Sequence, residues 1–80
     1  MKAKYIIFEW NGLNVPVIFS PLIGHDEIQI PATYKPVSAG FVQISFDFKE
    51  YNCFGKSETL KLNSRKEDSE IVTNNLQIDI

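Results

Sequence analysis

The chain has one cysteine, one histidine and one tryptophan among its 80 residues. A single cysteine excludes an internal disulfide and a cysteine-rich metal centre, and a single histidine leaves no paired imidazoles to hold an ion. Basic residues are also few. Eight lysines and arginines stand against ten carboxylates, a net charge of −2, so no general attraction to nucleic acid is expected and nucleic acid is not the expected partner. Long apolar runs are missing as well. Lys2 and Lys4 precede Tyr5-Ile6-Ile7-Phe8, but Glu9 breaks the run far short of a signal peptide core or a membrane span. No export and no membrane association are expected, and a lone cysteine suits a reducing cytoplasm. With 44% hydrophobic and 22% charged residues the chain is ordinary for a folded protein. Eighty residues make one domain, 1–80, near the size at which a single core only just offsets chain entropy, so self-association would add to its stability.

What is present begins with Asn11-Gly12, a pair that supplies the two positive-φ positions of a type I′ turn between two apolar stretches. The turn sets Trp10 opposite Leu13, Phe8 opposite Val15, Ile6 opposite Val17 and Lys4 opposite Phe19, all on one face that reads as core. The other face carries Glu9, Asn14, Ile7, Pro16, Tyr5 and Ile18. Pro16 sits at a position whose N–H points away from its hairpin partner, so it blocks pairing on the far side and marks an edge strand.

Beyond Ser20-Pro21, the stretch Leu22 to Ile30 reads as a loop or one helical turn, with Ile28 and Ile30 as a candidate short strand. Pro31 and Pro36 bracket an exposed loop. Val42, Ile44, Phe46 and Phe48 alternate with Gln43, Ser45, Asp47 and Lys49, which predicts a strand on a one-sided sheet. Turn formers over 51–55 and a returning strand over 58–62, with Leu60 and Leu62 inward, complete a second hairpin. Ser64-Arg65-Lys66-Glu67 has capping-box spacing and predicts a helix from about Arg65 to Asn75, with Ile71, Val72 and Leu76 as its apolar stripe. The tail Gln77-Ile78-Asp79-Ile80 alternates and reads as a short strand or a frayed end. The expected fold is α+β, mainly β: a small antiparallel sheet of two hairpins, four to five strands, covered by one C-terminal helix.

Chemistry is thin. His25-Asp26-Glu27 is the one place where histidine and carboxylates cluster, and adjacent residues do not converge on an ion without distant partners; a polar loop is the better reading. Gly55-Lys56-Ser57 resembles the end of a phosphate-binding loop, but the earlier glycine would fall at Glu50 and a strand follows in place of a helix. Cys53 lacks an argued base. No catalytic residue, metal or cofactor is therefore expected, and the chain reads as a non-enzyme. Lys56, Lys61, Arg65 and Lys66 are the candidate anion-binding residues, although Glu58, Glu67, Asp68 and Glu70 interleave with them. Tyr34 and Lys35 on the exposed loop, and Phe41 and Tyr51, which the alternation turns off the core face as it does Tyr5, form the candidate contact surface for a protein partner.

The strings Val37-Ser38-Ala39-Gly40-Phe41 and Gly55-Lys56-Ser57-Glu58-Thr59-Leu60-Lys61-Leu62-Asn63-Ser64-Arg65-Lys66-Glu67-Asp68, together with Tyr5-Ile6-Ile7-Phe8-Glu9-Trp10 and Val17-Ile18-Phe19, resemble small phage and prophage-encoded accessory proteins. Many of those have proline after the arginine where this chain has Lys66, which leaves the helix start less firmly set. The resemblance implies no catalytic residues. It implies a viral accessory product in the cytoplasm of a bacterial host that binds a host or phage protein, one kind of target being a defence system. The alternative expectation is a homo-oligomer that binds a nucleotide or other small anion.

Overall fold

The computed structural model describes residues 1–76; the alternating tail lies outside them. Strand β1 (Lys2–Trp10) turns at Asn11 and Gly12, both at positive φ (50° and 77°), into β2 (Leu13–Phe19). The pairing runs from Trp10 with Leu13 to Lys4 with Phe19, the register that the turn dictates. A single 3₁₀ turn (His25–Glu27) follows, then β3 (Lys35–Ile44) and β4 (Tyr51–Phe54). Two short strands, β5 (Lys56–Ser57) and β6 (Leu62–Asn63), form their own ladder before α1 (Asp68–Leu76). The main sheet is antiparallel in the order β2-β1-β3-β4, so β2 is an edge, as Pro16 requires.

The sheet is not one-sided. On the face under α1, Ala3, Tyr5 and Ile7 of β1 pack with Val42, Ile44, Tyr51 and Val72. On the opposite face Ile6, Phe8 and Ala39 are covered by Leu60 and Leu62 of the β5–β6 segment and by Ile28, Ile30 and Tyr34 of the loops. The cause is visible in β1: Tyr5-Ile6-Ile7-Phe8 is a continuous apolar run, the pattern of a strand buried on both faces. Tyr5, which alternation alone places off the core, is fully buried. Trp10 and Leu13, assigned to the core, lie beside the turn and are exposed.

Four further expectations are corrected. Strand β3 stops at Ile44, and 45–50 form the turn of the second hairpin, so Phe46 and Phe48 leave the sheet. The returning strand is β4, paired Phe41 to Phe54 and Ile44 to Tyr51, whereas 58–61 make a turn in which Lys61 adopts φ 56°. Ile28 and Ile30 join the core without forming a strand. The helix begins three residues later than the capping box predicts. Ser64 Oγ donates to the Gly55 carbonyl and is lost as a cap, while the Glu67 carbonyl accepts the N–H of Ile71. The Asp68 carboxylate reaches back to the Arg65 N–H at 2.9 Å, half of a capping box set one residue on.

Candidate functional site

Helix α1 is fastened to the sheet by a buried polar cluster. Asp68, fully buried, accepts the Tyr5 hydroxyl at 2.6 Å, the Arg65 backbone N–H at 2.9 Å and Arg65 Nε at 3.0 Å. Its neighbours on α1 complete the fastening. Ser69 Oγ accepts the Cys53 N–H and Thr73 Oγ1 donates to the Tyr51 carbonyl, so the outer edge of β4 is occupied by helix side chains. Burial first, then the hydrogen bond to Asp68, drives the Tyr5 hydroxyl far above its ordinary range. Burial, with the Asp68 charge adding to it, pushes the Cys53 thiol up from 9.0 to about 11. Neither group is therefore poised as a nucleophile or base at neutral pH.

These shifts carry a stability consequence with a definite sign. An unfolded chain releases both protons at ordinary values, and the folded chain holds them, so the stability due to this cluster is complete below about pH 9 and falls as pH rises. Above about pH 10 the Tyr5 contribution alone declines by roughly 1.4 kcal/mol per pH unit. Urea midpoints measured from neutral to about pH 11 should show this decline, and Tyr5→Phe should flatten its upper part; an unchanged slope in that variant would place the sensitivity elsewhere.

The turn of the second hairpin is a different kind of structure. Ser45 Oγ donates to Asp47 Oδ1 at 2.6 Å and accepts the N–H groups of Lys49 and Glu50, Asp47 Oδ1 also accepts the Lys49 N–H, and the Phe48 N–H reaches the Ser45 carbonyl. These bonds hold Asp47 below the usual carboxylate range, Ser45 being the first cause and the Lys49 N–H the second. So braced, the loop holds Phe46 fully in solvent and Phe48 at φ 61°, a left-handed conformation that costs a bulky residue roughly 1–2 kcal/mol. A rigid loop that places two large apolar rings in water at such a cost suits contact with something else.

The sequence-predicted residues are scattered. Tyr34 is half-buried, stacked on Trp10 at 5.5 Å and edge-on to Phe8, so it closes the second core; Lys35 stays exposed at the start of β3. Tyr51 is buried in the core beneath α1 and cannot face a partner, because its strand pairs with β3 where the sequence suggests a turn. Phe41 is half-buried and keeps a place at the surface, stacked on exposed Phe54 at 6.0 Å. Of the four candidate anion ligands, Arg65 is committed to Asp68, Lys61 and Lys66 are exposed, and Lys56 lies 4.0 Å from Glu58. Lys56 lines a cleft with Lys4, between the 3₁₀ turn and the β5–β6 segment. Another opening, about 390 Å³ between the Asn11-Gly12 turn and α1, is lined by Glu67, Glu70 and amide side chains.

His25 turns inward and donates from Nε2 to the Gly40 carbonyl at 2.9 Å, while Asp26 and Glu27 face solvent. Among the described residues no group of three histidine, cysteine or carboxylate side chains is placed to hold a metal. His25 contacts Phe19 and Phe41, and Cys53 belongs to the core beneath α1, so the sheet separates the two. Sequence reasoning missed Phe46 and Phe48. The signal that could have found them is Ser45 and Asp47, two turn formers spaced to bond each other and the backbone between strands. No helix among the described residues is long and apolar enough to cross a membrane. No family model matches the chain, and neither the curated proteins nor the solved structures contain a match to it.

Proposed function

We propose that the protein is a non-enzymatic binding protein that engages another protein through the loop 45–50, with Phe46 as anchor. The observation that carries this reading is the full exposure of Phe46 on a loop cross-linked by its own hydrogen bonds. Preorganisation removes the ordering cost that a flexible loop would meet on binding, and a protruding ring matches the aromatic anchors that dominate protein interfaces. A concave apolar pocket on a folded protein fits better than a lipid surface, because Asp47 between the rings and Glu50 beside them would have to be desolvated in a bilayer. The likeness of Val37–Phe41 and Gly55–Asp68 to small phage and prophage proteins supports a partner in the cytoplasm of a bacterial host, such as a component of a defence system.

Phe46→Ala tests the reading. Phe46 makes no core contact, so the unfolding free energy should hold to within the roughly ±0.5 kcal/mol usual for surface changes, while affinity for a stoichiometric partner captured from bacterial lysate should drop by about thirtyfold or more. Undiminished capture by the variant would move the contact off this loop, and Asp47→Ala, which unbraces the loop, should weaken capture less than removal of the ring.

A further inference from the structure

We infer that the face of the sheet beside β5 binds a free mononucleotide, its base stacked on the Phe41–Phe54 pair and its phosphate held between Lys4 and Lys56. The site is separate from the loop 45–50 and stands on different observations. Phe41 and Phe54 are direct cross-strand partners, so their rings project from one face, and they stack with 27° between planes. The Lys2 ammonium lies 5.0 Å from the centroid of the Phe41 ring, and Phe54 is 43% exposed. The stack thus runs from a cation through two rings to solvent and leaves an aromatic surface for a third flat ring. By register, Gln43 and Asn52 lie on the same face and are exposed, and they supply amide donors and acceptors beside the rings for a base edge.

Beside Phe41 a cleft of about 260 Å³ opens between the 3₁₀ turn and β5, lined by Lys4, Lys56, Ser57 and Thr59. The Lys56 ammonium and the Thr59 hydroxyl are exposed, and the Lys4 ammonium, which donates to the Ile23 carbonyl at 3.0 Å, keeps two further N–H groups for a phosphate, while the buried Ser57 Oγ is taken up by the Leu60 N–H and by Thr59. The volume falls just under the roughly 300 Å³ at which pockets for whole small molecules begin. It fits a phosphate and sugar, with the base outside on the rings. Glu58 also lines the cleft, but its side chain is 84% exposed and only 4.0 Å from Lys56, a loose pair that an anion can displace. A nucleic-acid strand fits less well than a free nucleotide: the stack is two rings wide, the chain carries a net charge of −2, and three lysines make no track for successive phosphates.

The test is titration of the intact protein with AMP, inorganic phosphate and a short oligothymidylate, read by melting temperature, calorimetry and amide chemical shifts. AMP should raise the melting temperature and bind about tenfold more tightly than phosphate, the increment that one base–aromatic stack supplies. Phe54→Ala should remove that tenfold and leave phosphate binding unchanged, Lys56→Ala should weaken both, and Glu58→Gln should strengthen both. All three side chains are substantially exposed, so the unliganded proteins should melt alike. With the unaltered chain, AMP should shift the amides of 2–4, 41–43 and 53–57. AMP binding no tighter than phosphate, an unaffected Phe54→Ala variant, shifts confined to other residues, or tighter binding of the oligothymidylate would each overturn the assignment.

Discussion

Asp68→Ala should cost about 3 kcal/mol, a large share of the roughly 5–15 kcal/mol that holds a domain of this kind together. The substitution removes an acceptor that satisfies three donors at once, and each loses its partner for a different reason. The Tyr5 hydroxyl lies at the bottom of the core with no water to replace the carboxylate, so its desolvation is uncompensated. The Arg65 N–H precedes the first turn of α1 and has no carbonyl to accept it. The Arg65 guanidinium loses its counter-charge, and its Nη2 is already buried without a partner. Breaking a fully buried ion pair costs about 3–5 kcal/mol; the lower end applies because the Arg65 side chain is 32% exposed and can recover some hydration.

Tyr5→Phe separates the parts of this effect. It leaves Asp68 with both Arg65 donors and removes one hydrogen bond to a charged group, so a cost of about 1.5–3 kcal/mol is expected. Both variants are read by urea unfolding of the same chain, and the alanine variant should also expose the β4 edge, seen as faster amide exchange at Cys53. Equal stability of Asp68→Ala and the parent chain would mean that α1 is held by its apolar contacts, Val72 chief among them, and by the bonds of Ser69 and Thr73 to β4.

The first hairpin was legible because its information is local. Asn11-Gly12 imposes positive φ at two adjacent positions, and from that constraint the register, the faces and the edge position of β2 follow by counting. The second hairpin was not legible, since its strand alternation runs on through Phe46 and Phe48 while the chain has already turned at Ser45. What ends the strand is a set of side-chain to backbone bonds from Ser45 and Asp47, which hydrophobic periodicity does not register. Tyr51–Phe54 carries an asparagine and a cysteine and reads as a turn, yet it becomes a strand because Ser69 and Thr73 of a helix distant in sequence satisfy its outer edge. The same long-range covering explains the contact surface. Phe41 could be placed there from alternation, but whether Tyr34 and Tyr51 meet water depends on Trp10 and on α1.

Gly40→Ala should be the next most damaging change, at about 2–3 kcal/mol, although the substitution adds one methyl group in an extended strand. A Cβ at this position would stand 2.5 Å from the Phe54 carbonyl oxygen and 3.2 Å from the Gly55 carbonyl carbon. Both are main-chain atoms, so relief requires β4 to move away from β3, and no rotamer change can substitute for that movement. The displacement would open the Phe41–Phe54 pair and disturb the Gly40 carbonyl that accepts from His25 Nε2. Gly12→Ala is the control. Its added Cβ meets nothing within 4 Å, and its cost is confined to the left-handed backbone at φ 77°, roughly 1–2 kcal/mol. If the loss at Gly40 is steric, Gly40→Ala should be the worse variant and should also reduce the affinity for AMP that the aromatic pair supplies, while Gly12→Ala, at the far end of the sheet, should leave that affinity unchanged. Similar losses with intact AMP binding in both would mean that β4 yields without parting the rings, and that the close approach at Gly40 serves strand packing alone.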